Sequence, residues 1–171
     1  MTMHTTETAA SALPLFDNAQ AWRGPEMARR SDWIRVLSAD EVGEIDAAVF
    51  HLDATGAEIL AIDRAMFPLP RLGAVLQEAR REVLHGRGFQ LFRGVPVQRY
   101  TPRQSAIAYW GLGLYLGEAL SQNGKGHVLG HVANLGLNYA DPEVRGYQTN
   151  ARLPYHSDLA DMVGLLCLRT P

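Results

Sequence analysis

The residues best equipped for chemistry in this chain are His156 and Asp158, in the run Leu153-Pro154-Tyr155-His156-Ser157-Asp158. A residue two positions along an extended segment returns to the same face, so the imidazole nitrogen and the carboxylate oxygen can meet one ion. A histidine and a carboxylate so placed match two members of the two-histidine, one-carboxylate facial triad, which leaves neighbouring positions open on Fe(II). Taken alone, His-x-Asp is common by chance, and a surface histidine beside an aspartate turn accounts for it better.

Other signals are weaker. His127 and His131 stand four apart, on one face of either a helix or a strand, but no glutamate occupies position 128 as the helical zinc-protease pattern requires. The surrounding glycines and valines favour a strand carrying ordinary pocket or surface histidines. Gly111-Leu112-Gly113 with Gly117 falls inside a helical pattern rather than between strand and helix, which points to close helix packing instead of a dinucleotide loop. Gly124-Lys125-Gly126 lacks the Ser or Thr that a phosphate loop needs after its lysine.

The elements that must position these residues begin with helices. Ser38 and Glu41 form a capping-box signal, and Val42, Ile45, Val49 and Leu52 follow at helical spacing, predicting a helix over 39–52. Leu72, Val75, Leu76, Ala79 and Val83 repeat the pattern up to Gly86. Phe89 to Arg93 is short and aromatic-rich and reads as a strand closed by Gly94 and Pro96. Thr101-Pro102-Arg103-Gln104 then starts a third helix running to about Gly117. Beyond it, 128–132, 146–153 and 162–168 are extended candidates separated by Gly, Asn, Asp-Pro and Pro, as in antiparallel sheet.

Composition excludes several classes. The 171 residues, 47% hydrophobic and 20% charged, describe a globular chain with room for one core. A net charge of -2 with scattered Lys and Arg argues against a nucleic-acid partner. No basic, apolar leader opens the chain and no run approaches a membrane span, so a cytoplasmic protein with no membrane partner is expected. Cys167 is the single cysteine, which rules out an intrachain disulfide, and its apolar neighbours place it in a core. Residues 1–21 lack periodicity and read as a loosely ordered tail, with 22–171 forming the domain.

Several segments in order change the weight of His156 and Asp158. Gly88-Phe89-Gln90-Leu91-Phe92-Arg93-Gly94-Val95-Pro96, Leu120-Ser121-Gln122-Asn123 and Arg145-Gly146-Tyr147-Gln148-Thr149-Asn150 precede the His-x-Asp run. Asp161-Met162-Val163-Gly164-Leu165-Leu166-Cys167-Leu168-Arg169 follows it. As a set they resemble the taurine-dioxygenase-like (TauD/TfdA) family of Fe(II)- and 2-oxoglutarate-dependent dioxygenases, over about 86–171 and more loosely over the N-terminal helices.

That resemblance implies an α+β fold, a partial double-stranded β-helix (jelly roll) with the N-terminal helices packed outside. It implies that His156 and Asp158 are the proximal histidine and the carboxylate of an iron triad. It also implies Fe(II) as cofactor, 2-oxoglutarate as cosubstrate with O2, and hydroxylation of a small-molecule substrate with release of succinate and CO2. Gln122, Asn123, Gln148 and Asn150 become pocket candidates, although polar residues near turns often serve the backbone instead.

The family pattern breaks at the end of the chain. The distal histidine and the arginine that grips 2-oxoglutarate lie well beyond the carboxylate in relatives, and here no histidine follows His156. The expectation is therefore the N-terminal half of such a domain, which by itself holds Fe(II) weakly, does not turn over 2-oxoglutarate, and self-associates or awaits a missing C-terminal half. Two other classes stay open: a non-catalytic dioxygenase-like binding module, and a cupin-like metal-dependent hydrolase or isomerase using His127, His131, His156 and Asp158.

Overall fold

A computed structural model describes residues 16–121 and 126–169. Among the described residues, four helices, two short strands and three single 3-10 turns follow one another, and the buried apolar side chains lie between Met27 and Tyr115.

Helix α1 (Gly24–Met27) is one turn, opened by Pro25 in the first helical turn, where a missing N–H costs nothing. Strand β1 (Ile34–Val36) comes next. Helix α2 (Ala39–Ala54) starts at the expected capping box, with the Ser38 hydroxyl accepting from the Glu41 N–H and the Glu41 carboxylate accepting from the Ser38 N–H. Glu41 is buried, and burial raises its pKa; the hydrogen bonds from Ser38 and the Arg35 guanidinium at 2.6 Å outweigh that and hold it below its usual value.

Helix α3 (Leu72–His85) has no cap of its own. Glu44 on α2 supplies one, its carboxylate accepting from the Arg71 and Leu72 N–H groups and placing an anion at the positive end of the helix. Strand β2 (Leu91–Arg93) pairs with β1 in parallel, Ile34 opposite Leu91 and Val36 opposite Arg93. Helix α4 (Pro102–Gly113) starts at the second expected capping box, Thr101 with Gln104. It ends four residues before Gly117.

α2 packs most extensively on α4. Ile45, Val49 and Leu52 from α2, Leu72 and Leu76 from α3, and Ile107 from α4 close around Phe67, which is fully buried. Each such side chain stabilises the fold by roughly 1.5–3 kcal/mol. Gly111 is the position that lets α4 approach: a Cβ there would collide with the Phe67 ring. Close packing, expected for the glycines of this stretch, holds at Gly111 alone: a Cβ at Gly113 or Gly117 would meet nothing within 4 Å. The Tyr115 hydroxyl closes the bottom of the core, donating to the Phe67 carbonyl and accepting from the Leu69 N–H, both at 2.9 Å. Trp22, at the expected onset of the ordered part, lies edge-on to Phe89 and donates its indole N–H to the Arg87 carbonyl.

The second part of the chain departs from expectation. Among the described residues, 126–169 contain no strand, and Gly146–Gln148 is a 3-10 turn. Two backbone bonds, Ala133 N–H to the Tyr147 carbonyl and Leu135 N–H to the Gln148 carbonyl, draw 133–135 beside 147–148 without building a ladder. No described residue after Tyr115 is buried, and Cys167, expected in a core, is exposed. The reason is common to both findings: an apolar extended segment becomes a strand only against a partner that covers it, and no described element covers 162–168. The described residues form helices and one two-stranded parallel sheet, and the expected jelly-roll strands are not seen among them. No described helix is long and apolar enough to cross a membrane.

Candidate metal centre

His156 and Asp158 lie in irregular chain between Arg152 and the bend at Leu159–Asp161, not in the strand their spacing suggested. They meet nonetheless. His156 Nε2 stands 3.6 Å from Asp158 Oδ1, with 57% and 54% of the two side chains exposed.

The other ring nitrogen decides what this pair can do. His156 Nδ1 lies 2.9 Å from the Pro154 carbonyl oxygen, which can only accept, so Nδ1 is the donor of that contact and Nε2 is the nitrogen left to meet a metal. Nε2 and a carboxylate oxygen then face the same space. Two donors each about 2.1 Å from one ion are about 3.0 Å apart at a right angle and about 4.2 Å apart across it. The observed separation falls between these limits. An imidazole nitrogen and a carboxylate oxygen, with the ring held by a carbonyl behind it, suit a divalent first-row metal in type and spacing.

The structure does not bring the other candidates to this pair. His127 and His131 are exposed, and among the described residues no three of His, Cys, Asp and Glu converge to hold a metal. The four-ligand set of a cupin-like site is therefore not assembled by these residues. Gln148 uses its side-chain oxygen to accept the Arg145 N–H at the 3-10 turn, the backbone role common for such residues. Asn150 is exposed beside it, and Gln122 and Asn123 lie outside the described residues.

Comparison with known proteins follows this geometry. The family model described as "Taurine catabolism dioxygenase TauD, TfdA family" matches residues 48–171. The chain belongs to the TauD/TfdA family. It is 34% identical over 148 residues to FR-33289 synthase of Streptomyces rubellomurinus, covering 86% of this chain and 44% of that protein. It is 27% identical over 160 residues to the taurine hydroxylase-like protein SAT17 of Stachybotrys chartarum, covering 90% of this chain and 42% of that one. The chain thus spans less than half the length of both curated relatives.

Two features of this site were unequally visible in sequence. Pro154, whose carbonyl orients the ring, stands in the motif itself, and its fixed φ is a usable signal. Tyr109 left no such signal. On α4, its hydroxyl donates to the Gly164 carbonyl at 2.5 Å, joining the helical core to the segment after Asp158.

Proposed function

We propose that this chain carries the first two metal ligands of a non-haem Fe(II)- and 2-oxoglutarate-dependent dioxygenase that hydroxylates a small molecule, releasing succinate and CO2. The observation that supports it most is the ring of His156, with Nδ1 against the Pro154 carbonyl and Nε2 turned toward Asp158. Family membership and the hydroxylase in the Stachybotrys relative's name agree with it.

Each residue has a defined share. His156 donates a neutral nitrogen, and Asp158 an anionic oxygen that offsets one of the two charges of Fe(II). The Pro154 carbonyl keeps the ring in one tautomer and one orientation. Fe(II) with 2-oxoglutarate, when bound, supplies the activation of O2. Two protein donors leave coordination positions for a bidentate 2-oxo acid, and the remaining protein donor is assigned to the part of the domain that the relatives have beyond the matched stretch.

The test is anaerobic spectroscopy. Adding Fe(II) and 2-oxoglutarate together to the chain should produce a weak visible charge-transfer band that neither gives alone. His156→Ala and Asp158→Ala should abolish it. A band that survives both substitutions would place 2-oxoglutarate and iron elsewhere and defeat the proposal.

A further inference from the structure

We propose that Tyr109 is a positioning residue, a latch through which the helical core holds the metal-ligand segment in place. The latch consists of the Tyr109 hydroxyl on α4 and the Gly164 carbonyl, six residues past Asp158, at 2.5 Å. The metal-directed half of this inference rests on the function proposed above; the mechanical half does not.

Three observations support it. First, the helix end of the latch is rigid: Ile107 and Ala108 are fully buried, and the neighbouring Trp110 donates its indole N–H to the Ile62 carbonyl at 2.9 Å, clamping α4 from its other side. Secondly, the loop end is shaped to receive the hydroxyl. A Cβ at position 164 would lie 3.2 Å from the Tyr109 oxygen, close enough to push the hydroxyl back by a few tenths of an ångström, so the glycine suits this approach. Burial also raises the Tyr109 pKa, keeping the hydroxyl protonated and able to donate. Thirdly, the held segment has little else to fix it, since none of the described residues 126–169 is buried and the apolar side chains of Leu159, Val163, Leu165 and Leu168 face outward. A segment with few buried contacts opens locally at low cost, so one short hydrogen bond to a rigid helix controls much of its order.

The bond anchors Gly164, and only the bend at 159–161 and two further residues separate it from Asp158. Loss of the anchor would let the Asp158 carboxylate wander relative to His156, which is held separately by Pro154. Tyr109 touches neither ligand, and its effect on metal binding is through this segment.

The experiment compares the full chain with Tyr109→Phe, Gly164→Ala and His156→Ala, using backbone proton–nitrogen heteronuclear NOEs, which read local order, and titration with Co(II) alone, whose visible ligand-field bands report the donor set. Tyr109→Phe removes one oxygen and keeps the ring. It should lower the NOEs around Gly164 toward those of a free chain end, while the melting temperature of the helical core stays unchanged. It should also weaken and shift the Co(II) bands, and Gly164→Ala should act in the same direction from the other side. His156→Ala should remove the bands with no change in the NOE at Gly164. If Co(II) gives no His156-dependent bands in the wild-type chain, the metal assignment fails and the NOE arm alone decides the latch. NOEs around Gly164 in Tyr109→Phe equal to those of the wild type overturn the latch.

Discussion

Asp158→Ala is expected to weaken Fe(II) binding by more than about a hundredfold while leaving the fold intact. The size follows from which partner is lost. Changing a group that only orients a ligand costs about 10–100-fold in metal affinity, and removing the ligand itself costs more. Asp158 is also the anionic member of the pair, so its loss leaves the ion facing one neutral nitrogen. Asp158→Asn separates the two contributions: it keeps the shape and an oxygen donor, and should fall between Ala and wild type. Because one remaining donor cannot hold the ion, His156→Ala/Asp158→Ala should be hardly worse than either single change, the non-additivity of groups acting as a unit. Stability should not move, because both side chains are more than half exposed and their contact at 3.6 Å contributes little. Competition against a chromogenic Fe(II) chelator under anaerobic conditions reads the affinities, and thermal unfolding reads the fold.

The second large effect lies in the core. Phe67→Ala should destabilise the chain by about 3–5 kcal/mol, the usual cost of emptying a fully buried phenylalanine site. Gly111→Ala should cost about 1–3 kcal/mol for the opposite reason, because its methyl group enters space the Phe67 ring occupies. Together the two faults repair each other in part: the new methyl group projects into the cavity left by the ring. The double variant should therefore be more stable than the sum of the single losses predicts, by about 0.5–3 kcal/mol. Denaturant unfolding of the four proteins measures this, and strict additivity would show that the α4 approach does not depend on Phe67.

These two results concern the regions that were most and least legible in the sequence. The helices could be read because their signals are local. Ser38 with Glu41, and Thr101 with Gln104, make their capping bonds within four residues, and the apolar stripe of α2 needs only its own spacing. Strand β1 could not be read. It is three residues long and exists because Leu91 donates to the Trp33 carbonyl and Leu37 to the Arg93 carbonyl, partners more than fifty residues away. The expected strands after residue 126 show the converse. The turn residues that bound them are present, but pairing belongs to the partner as much as to the sequence, and no described element supplies that partner.

The candidate site divides in the same way. His156 and Asp158 were legible only through the ordered segments around them, since their spacing by itself is ordinary. The Pro154 carbonyl that selects the tautomer is within the motif, where a reader can find it. The Tyr109–Gly164 bond joins a side chain to a backbone carbonyl 55 residues on, and a backbone acceptor has no residue type to announce it.

The most direct test of the metal assignment is the nitrogen chemistry of His156 itself. Long-range proton–nitrogen spectra of the histidine side chains distinguish the two neutral tautomers, and diamagnetic Zn(II) can stand in for Fe(II) during a titration. The geometry predicts that His156 carries its proton on Nδ1 before metal is added, and that Zn(II) shifts the His156 Nε2 resonance while leaving His127 and His131 where they were. A proton on Nε2, or a Zn(II) response at His127 and His131 in place of His156, would contradict it.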